Sequence, residues 1–206
     1  MKLKSLLFTL LLLTGFSMAK AEIVEIGTSA NNATSGYYPV NALYNYSLTQ
    51  QIYRSYELPN ISTISSISFY NVSATTTRNI DIYLKDDNKS SYTDGTNWQV
   101  VTSGNLYFSG NVTFVEGEWT TIELDQVFNH DTGKNLIVTM DDNTGTYVNS
   151  TYFKVGINTE ATKTLYLYSD GSNYDVSQIS TYTGNMSNYR NQIRINGGKR
   201  PMAFLM

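Results

Sequence analysis

Hydrophobic and polar residues alternate in short runs along most of the chain. Ile80, Ile82 and Leu84 interleave with Asn79, Asp81 and Tyr83, and Ile67 and Phe69 with Ser66, Ser68 and Tyr70. The same two-residue period holds for Leu106 and Phe108 around Tyr107, and for Ile122 and Leu124 with Thr121 and Glu123. It recurs for Leu165 and Leu167 with Tyr166 and Tyr168, and for Ile193 and Ile195 with Gln192 and Arg194. Successive side chains of a strand point to opposite faces, so each run predicts a strand with one buried face. Leu136-Ile137-Val138 is apolar without a break, which suits a central strand; 23–26, 48–53, 111–114 and 151–155 are further candidates. Turn residues separate the runs at Asp94-Gly95, Glu116-Gly117-Glu118, Thr132-Gly133-Lys134, Asn143-Thr144-Gly145 and Asp170-Gly171. No window holds a helical period. About ten short strands, evenly spaced, predict an all-β, antiparallel sandwich of jelly-roll type.

The amino terminus departs from this pattern. Lys2 and Lys4 precede the apolar stretch Leu6–Phe16, and Ala19-Lys20-Ala21 supplies a small-x-small cleavage site. These are the parts of a secretory signal peptide, and the apolar core is short for a membrane span of about 20 residues. The expected organisation is a signal peptide over 1–21, one sandwich domain over 22–196, and a tail or the start of a linker or further domain over 197–206. Export implies a secreted or cell-surface protein, with no membrane insertion once the signal is cut.

Composition narrows the chemistry. The chain has no cysteine and one histidine. That excludes disulfides, thiolate metal sites, cysteine nucleophiles and multi-histidine metal sites. A secreted domain without disulfides points to a bacterial export route. The net charge is −3 with the signal lysines included, and more negative without them. Nucleic acid is therefore not an expected partner, since it needs a basic footprint. Charged residues make up only 15%, and 17 tyrosines occupy part of the polar surface's usual share.

Two sets of residues carry candidate chemistry. Oxygen-rich turns at Asp141, Asp142 and Asn143, and at Asp170, Asn173 and Asp175, could ligate a structural calcium; the same residues also cap turns through their own side chains. A third such turn is Asp86-Asp87-Asn88. The aromatic set is Tyr83, Tyr166 and Tyr168, opposite in parity to the aliphatic core, with Trp98 and Tyr92 in a polar loop. Outward rings suit stacking on sugars or contact with protein, while cross-strand pairing accounts for tyrosines on strands equally well. Tyr70 and Tyr107 share the outward parity, Trp98 is either a ligand platform or a loop anchor, and Trp119 reads as core. His130, in Asn129-His130-Asp131, reads as an exposed turn residue. No nucleophile elbow, phosphate loop or zinc signature is present.

Particular segments resemble a known group. Gly117-Glu118-Trp119-Thr120-Thr121-Ile122-Glu123-Leu124-Asp125 runs on to Phe128, then Asn135-Leu136-Ile137-Val138-Thr139-Met140-Asp141-Asp142-Asn143-Thr144-Gly145. These are similar to modules of Bacteroidetes-type surface proteins, the cleaved-adhesin domains of gingipain-type adhesins and haemagglutinins. Arg78–Leu84 and Tyr168–Asp175 resemble further parts of such modules. The resemblance implies a jelly-roll module that works in adhesion and often holds calcium, with Asp141 and Asn143 the first positions to test. The reading is a non-catalytic binding module with an adhesin-like role, its partner an extracellular protein or glycan. The alternatives are a carbohydrate-binding module using its aromatics, a secreted glycosidase or esterase, and a structural surface subunit.

Overall fold

A computed structural model of the chain describes residues 22–27, 33–148, 151–157 and 161–198. The expected signal peptide and residues 199–206 of the tail lie outside the described residues.

The regular structure of the described residues is nearly all strand, and every pairing is antiparallel. Its strands are β1 (Glu22–Ile26), β2 (Ala33–Gly36), β3 (Tyr46–Tyr53), β4 (Thr63–Tyr70), β5 (Thr76–Asp87), β6 (Leu106–Phe114) and β7 (Trp119–Asn129). They continue with β8 (Asn135–Asp142), β9 (Phe153–Ile157), β10 (Thr164–Ser169), β11 (Asn185–Ser187), β12 (Tyr189–Asn191) and β13 (Ile193–Gly198). One sheet has the order β1-β13-β4-β7, a second β11-β10-β3-β8-β5-β6, and a small third β12-β9-β2. The order β1-β13-β4-β7 against β3-β8-β5-β6 is that of a jelly roll. Strands β9 to β12 arise between β8 and the closing strand, and β10 and β11 widen the second sheet.

The alternation read from sequence explains the core. Ile80, Ile82 and Leu84 of β5, Leu136, Val138 and Met140 of β8, and Phe114 of β6 face Ile64, Ile67 and Phe69 of β4, with Ile193 and Ile195 of β13. Each such side chain withdrawn from water contributes roughly 1.5–3 kcal/mol. Strand β8 is central, between β3 and β5, and all eight of its residues are buried.

Burial of β8 on both faces follows from a second cluster on the outer side of the six-stranded sheet. Leu48, Ile52, Ile137 and Leu165 are covered there by Tyr92, Trp98, Val101, Val176 and Ile179, drawn from the connections after β5 and after β10. Gln50 ties the first of these connections down. Its side-chain amide donates to the Gln99 carbonyl and to Thr139 Oγ1, both at 2.8 Å, and its oxygen accepts from Gln99 N–H (2.6 Å) and Tyr92 O–H (3.1 Å). The two covers meet at a glycine pair: Gly184 N–H donates to the Gly95 carbonyl at 2.8 Å. A Cβ on Gly184 would stand 2.4 Å from the Trp98 ring, so a side chain there is sterically excluded.

Several expectations change. Residues 106–108 and 111–114 form one strand, β6. Its register shifts opposite Ile82 and Tyr83, and a bulge re-aims side chains. Tyr107 thus turns towards the main core, 5.0 Å from the Phe128 ring, instead of outward. The closing strand runs two residues past the expected boundary, to Gly198. Trp119 is not core. It is half-buried on the outer face of the four-stranded sheet, with the Arg194 guanidinium 4.1 Å from its ring centroid and Tyr70 edge-on at 5.6 Å. His130 is buried, not exposed. Its Nδ1 lies 2.5 Å from Asp86 Oδ1, so its carboxylate partner comes from β5 and not from the adjacent Asp131.

Candidate functional site

Strand β10 divides the aromatic residues between two environments. Leu165 and Leu167 face the covered outer side of the sheet, and Tyr166 and Tyr168 face the other way. Over them lies the irregular segment before β3. Tyr38 packs on Tyr166 with ring centroids 5.1 Å apart, and Tyr44 stacks on Tyr168 at 4.0 Å. Tyr37 lies beside them and pairs with Tyr152, their hydroxyls 3.0 Å apart. Between these rings is an open pocket of about 280 Å³, lined by Tyr37, Tyr38, Asn41, Leu43, Tyr44, Tyr166 and Tyr168. It falls near the small end of ligand-pocket volumes, about 300 Å³.

The segment that carries three of these tyrosines is held from beneath. Val40 and Ala42 are fully buried anchors. Thr49 O–H donates to the Pro39 carbonyl (2.7 Å), and Asn191 Nδ2 donates to the Tyr38 carbonyl (2.7 Å). The Asn41 side chain accepts from Leu43 N–H at 3.3 Å, an Asx turn that reverses the chain. Below Tyr44 lies Arg78, whose side chain is completely buried. Its guanidinium binds Asp142 (2.7 Å) and donates to the carbonyls of Thr146 (2.7 Å) and Tyr44 (3.0 Å). Burial raises the Asp142 carboxyl, and the guanidinium works against that. At the rim, Asn45 Nδ2 donates to the Asp170 carbonyl (2.8 Å) and Asn45 N–H to its carboxylate (3.3 Å), joining this segment to the end of β10.

The phenols of Tyr37, Tyr38 and Tyr44 stay protonated well above neutrality. Burial pushes Tyr38 up to about 12. Tyr44 is raised by desolvation and then by Tyr168, and Tyr37 by its hydrogen bond with Tyr152. The pocket therefore offers apolar ring faces, with neutral hydroxyls on Tyr37, Tyr38 and Tyr44 that both donate and accept.

Of the aromatic residues expected from sequence, Tyr166 and Tyr168 line this pocket. Tyr83 is half-buried on the opposite face, against the cover. Trp98 and Tyr92 are 5% and 3% exposed, so they anchor the cover and are not a platform at a loop tip. The physical reason is that the outer face of the sheet is itself apolar and needs a lid. Tyr37, Tyr38 and Tyr44 were not among the expected site residues; the signal for them was tyrosine density around a proline in a segment without alternation.

Most of the expected calcium ligands have hydrogen-bond partners within the protein. Asp142 binds Arg78 and, through its other oxygen, Thr144, so it braces the fold here. Asp170 bonds Asn45, and Asp175 accepts from Ser177 N–H and caps a short 3-10 turn. The two turns do meet, Asn173 Nδ2 donating to Asn143 Oδ1 at 2.6 Å. Asp141 is buried in β8 directly opposite Asp81 of β5, and its Oδ1 has no hydrogen-bond partner among the described residues. Desolvation raises it to about 8, with Asp81, Asp142 and Asp175 adding to the effect. Among the described residues no three acidic, histidine or cysteine side chains gather closely enough to hold a metal ion. Among the described residues no helix is long and apolar enough to cross a membrane.

No protein-family model matches the chain, and no curated protein matches it. Among solved structures it is similar to a clostridial cysteine protease, Cwp84, after propeptide cleavage, at a TM-score of 0.40 and 14% identity, over 84% of this chain and 41% of that one. It is similar also to the cysteine protease and lectin-like domains of Cwp84, a surface layer associated protein of Clostridium difficile, at a TM-score of 0.38 and 12% identity, over 84% of this chain and 37% of that one. The chain spans less than half the length of either match.

Proposed function

We propose that this protein is an extracellular, non-catalytic binding module with an adhesin-like role, and that its tyrosine-lined pocket takes sugar rings of a glycan. The observation that carries the reading is the convergence of five tyrosines from two separate segments on one open pocket of about 280 Å³. A pyranose presents apolar C–H faces and equatorial hydroxyls. Phenol rings complement both, because each has an apolar face and a polar tip. The rings are held by a braced backbone and paired with one another, so little ordering cost falls on binding. Tyr37 with Tyr152 continues the aromatic strip beyond the pocket, which suits an oligosaccharide better than a single sugar.

Titration on a glycan array, followed by calorimetry on the best ligand, tests this. Tyr44→Ala and Tyr168→Ala should each weaken binding about five- to tenfold, in line with roughly 1 kcal/mol or more for an aromatic contact. Unchanged binding in both variants removes the pocket from the function. Trp98→Phe, a change within the cover, should leave the affinity as it is.

A further inference from the structure

The pocket's charge says which glycans it takes. None of the seven residues that line it is basic. Arg78, the base beneath it, is completely buried, and its guanidinium is used by Asp142 and by the carbonyls of Thr146 and Tyr44. It therefore has no donor directed at a ligand and its charge is offset. At the rim the Asp170 carboxylate is exposed and meets no cation among the described residues; it acts on the Tyr44 hydroxyl. The chain as a whole is acidic.

We infer, building on the glycan reading above, that the site is selective for uncharged sugars and rejects uronate, sialate and sulfate groups. A carboxylate brought against the rings would lose water without gaining a counter-charge, and would approach Asp170. Discrimination of this kind works by placing an unpaired like charge against the wrong ligand. The phenols do not offset it, because neutral O–H donors replace hydrogen bonds to water and leave the ligand's charge unbalanced.

Matched pairs of immobilised glycans test the idea, one member neutral and the other the same core with an added sialic acid, uronic acid or sulfate. At low salt the acidic member should bind about tenfold more weakly, and the gap should narrow as salt rises. Asp170→Asn should shrink the ratio between the two members about threefold, and Asp170→Lys should shrink it further. Equal or tighter binding of the acidic members by the wild-type protein overturns the inference while leaving the glycan reading intact. Failure to bind any glycan, neutral or acidic, removes the glycan reading and this inference with it.

Discussion

Two aromatic groups sit on opposite faces of the same sheet and differ in nearly every respect. On the outer face, Trp98 and Tyr92 are buried parts of a long connection that covers the sheet, and Gln50 ties that connection down through Gln99 and Tyr92. On the other face, Tyr44 and Tyr168 stack in the open beside a pocket. One strand feeds both, since Leu165 and Leu167 of β10 enter the first and Tyr166 and Tyr168 the second. The contrast shows that an aromatic residue's role here is decided by what covers its face of the sheet. The cover should therefore govern stability, and the pocket should govern binding.

The sharpest way to break that division is to empty the cover. Trp98→Ala should cost about 3–5 kcal/mol of unfolding free energy in urea, as for other large-to-small core changes. Below its unfolding transition the variant should still bind ligand; loss of binding in a folded Trp98→Ala protein would join the two regions. Arg78 lies where they could be joined, because it braces Tyr44 from within the fold. Arg78→Met should cost roughly 3 kcal/mol by leaving Asp142 buried and unpaired. Arg78→Met with Asp142→Leu should recover most of that stability but not the pocket's affinity, since the Tyr44 carbonyl stays unbraced. Full recovery of affinity would show that the brace is dispensable.

Asp141 gives an effect of the opposite sign. Its pKa is about 8 when folded against an ordinary 3.8. Between those values the folded protein retains a proton that the unfolded chain has released. Stability from this group therefore falls as pH rises from about 4 to 8, and the loss is complete above that. Asp141→Asn should stabilise the protein at pH 8 and flatten the fall, as thermal unfolding across pH would register. A steeper fall in the variant would contradict the assignment. Smallest of all, Tyr44→Ala should alter stability by less than about 1 kcal/mol, whatever it does to binding.

The two tryptophans show what was legible beforehand. Trp119 shares the parity of Thr121 and Glu123, so alternation alone places it on the solvent side, where Arg194 covers it. Trp98 lies in a polar stretch without a period, and only tertiary packing against Ile137 and Leu165 decides its burial. The strands and the main core were readable from that same alternation, which the reading of Trp119 as core left unused. Tyr107 was not, because a bulge shifts the register by one residue and a period of two has no memory across it. Half of the pocket was readable, as Tyr166 and Tyr168 stand opposite an aliphatic row. The other half, Tyr37, Tyr38 and Tyr44, comes from a segment more than a hundred residues away, held by contacts with Thr49 and Asn191 that no local pattern encodes. Asp86 and His130 met in the same way, across two elements distant in sequence.

The pairing of β1 with β13 carries a mechanical consequence. Glu22 lies opposite Gly197 and Ile26 opposite Ile193. The described chain therefore enters and leaves at the same end of an antiparallel pair. A pull applied through both ends would load the hydrogen bonds of that pair one after another, as in a zipper, and not all at once in shear. Under tension between its two ends the module should begin to open at low force by peeling β1 from β13.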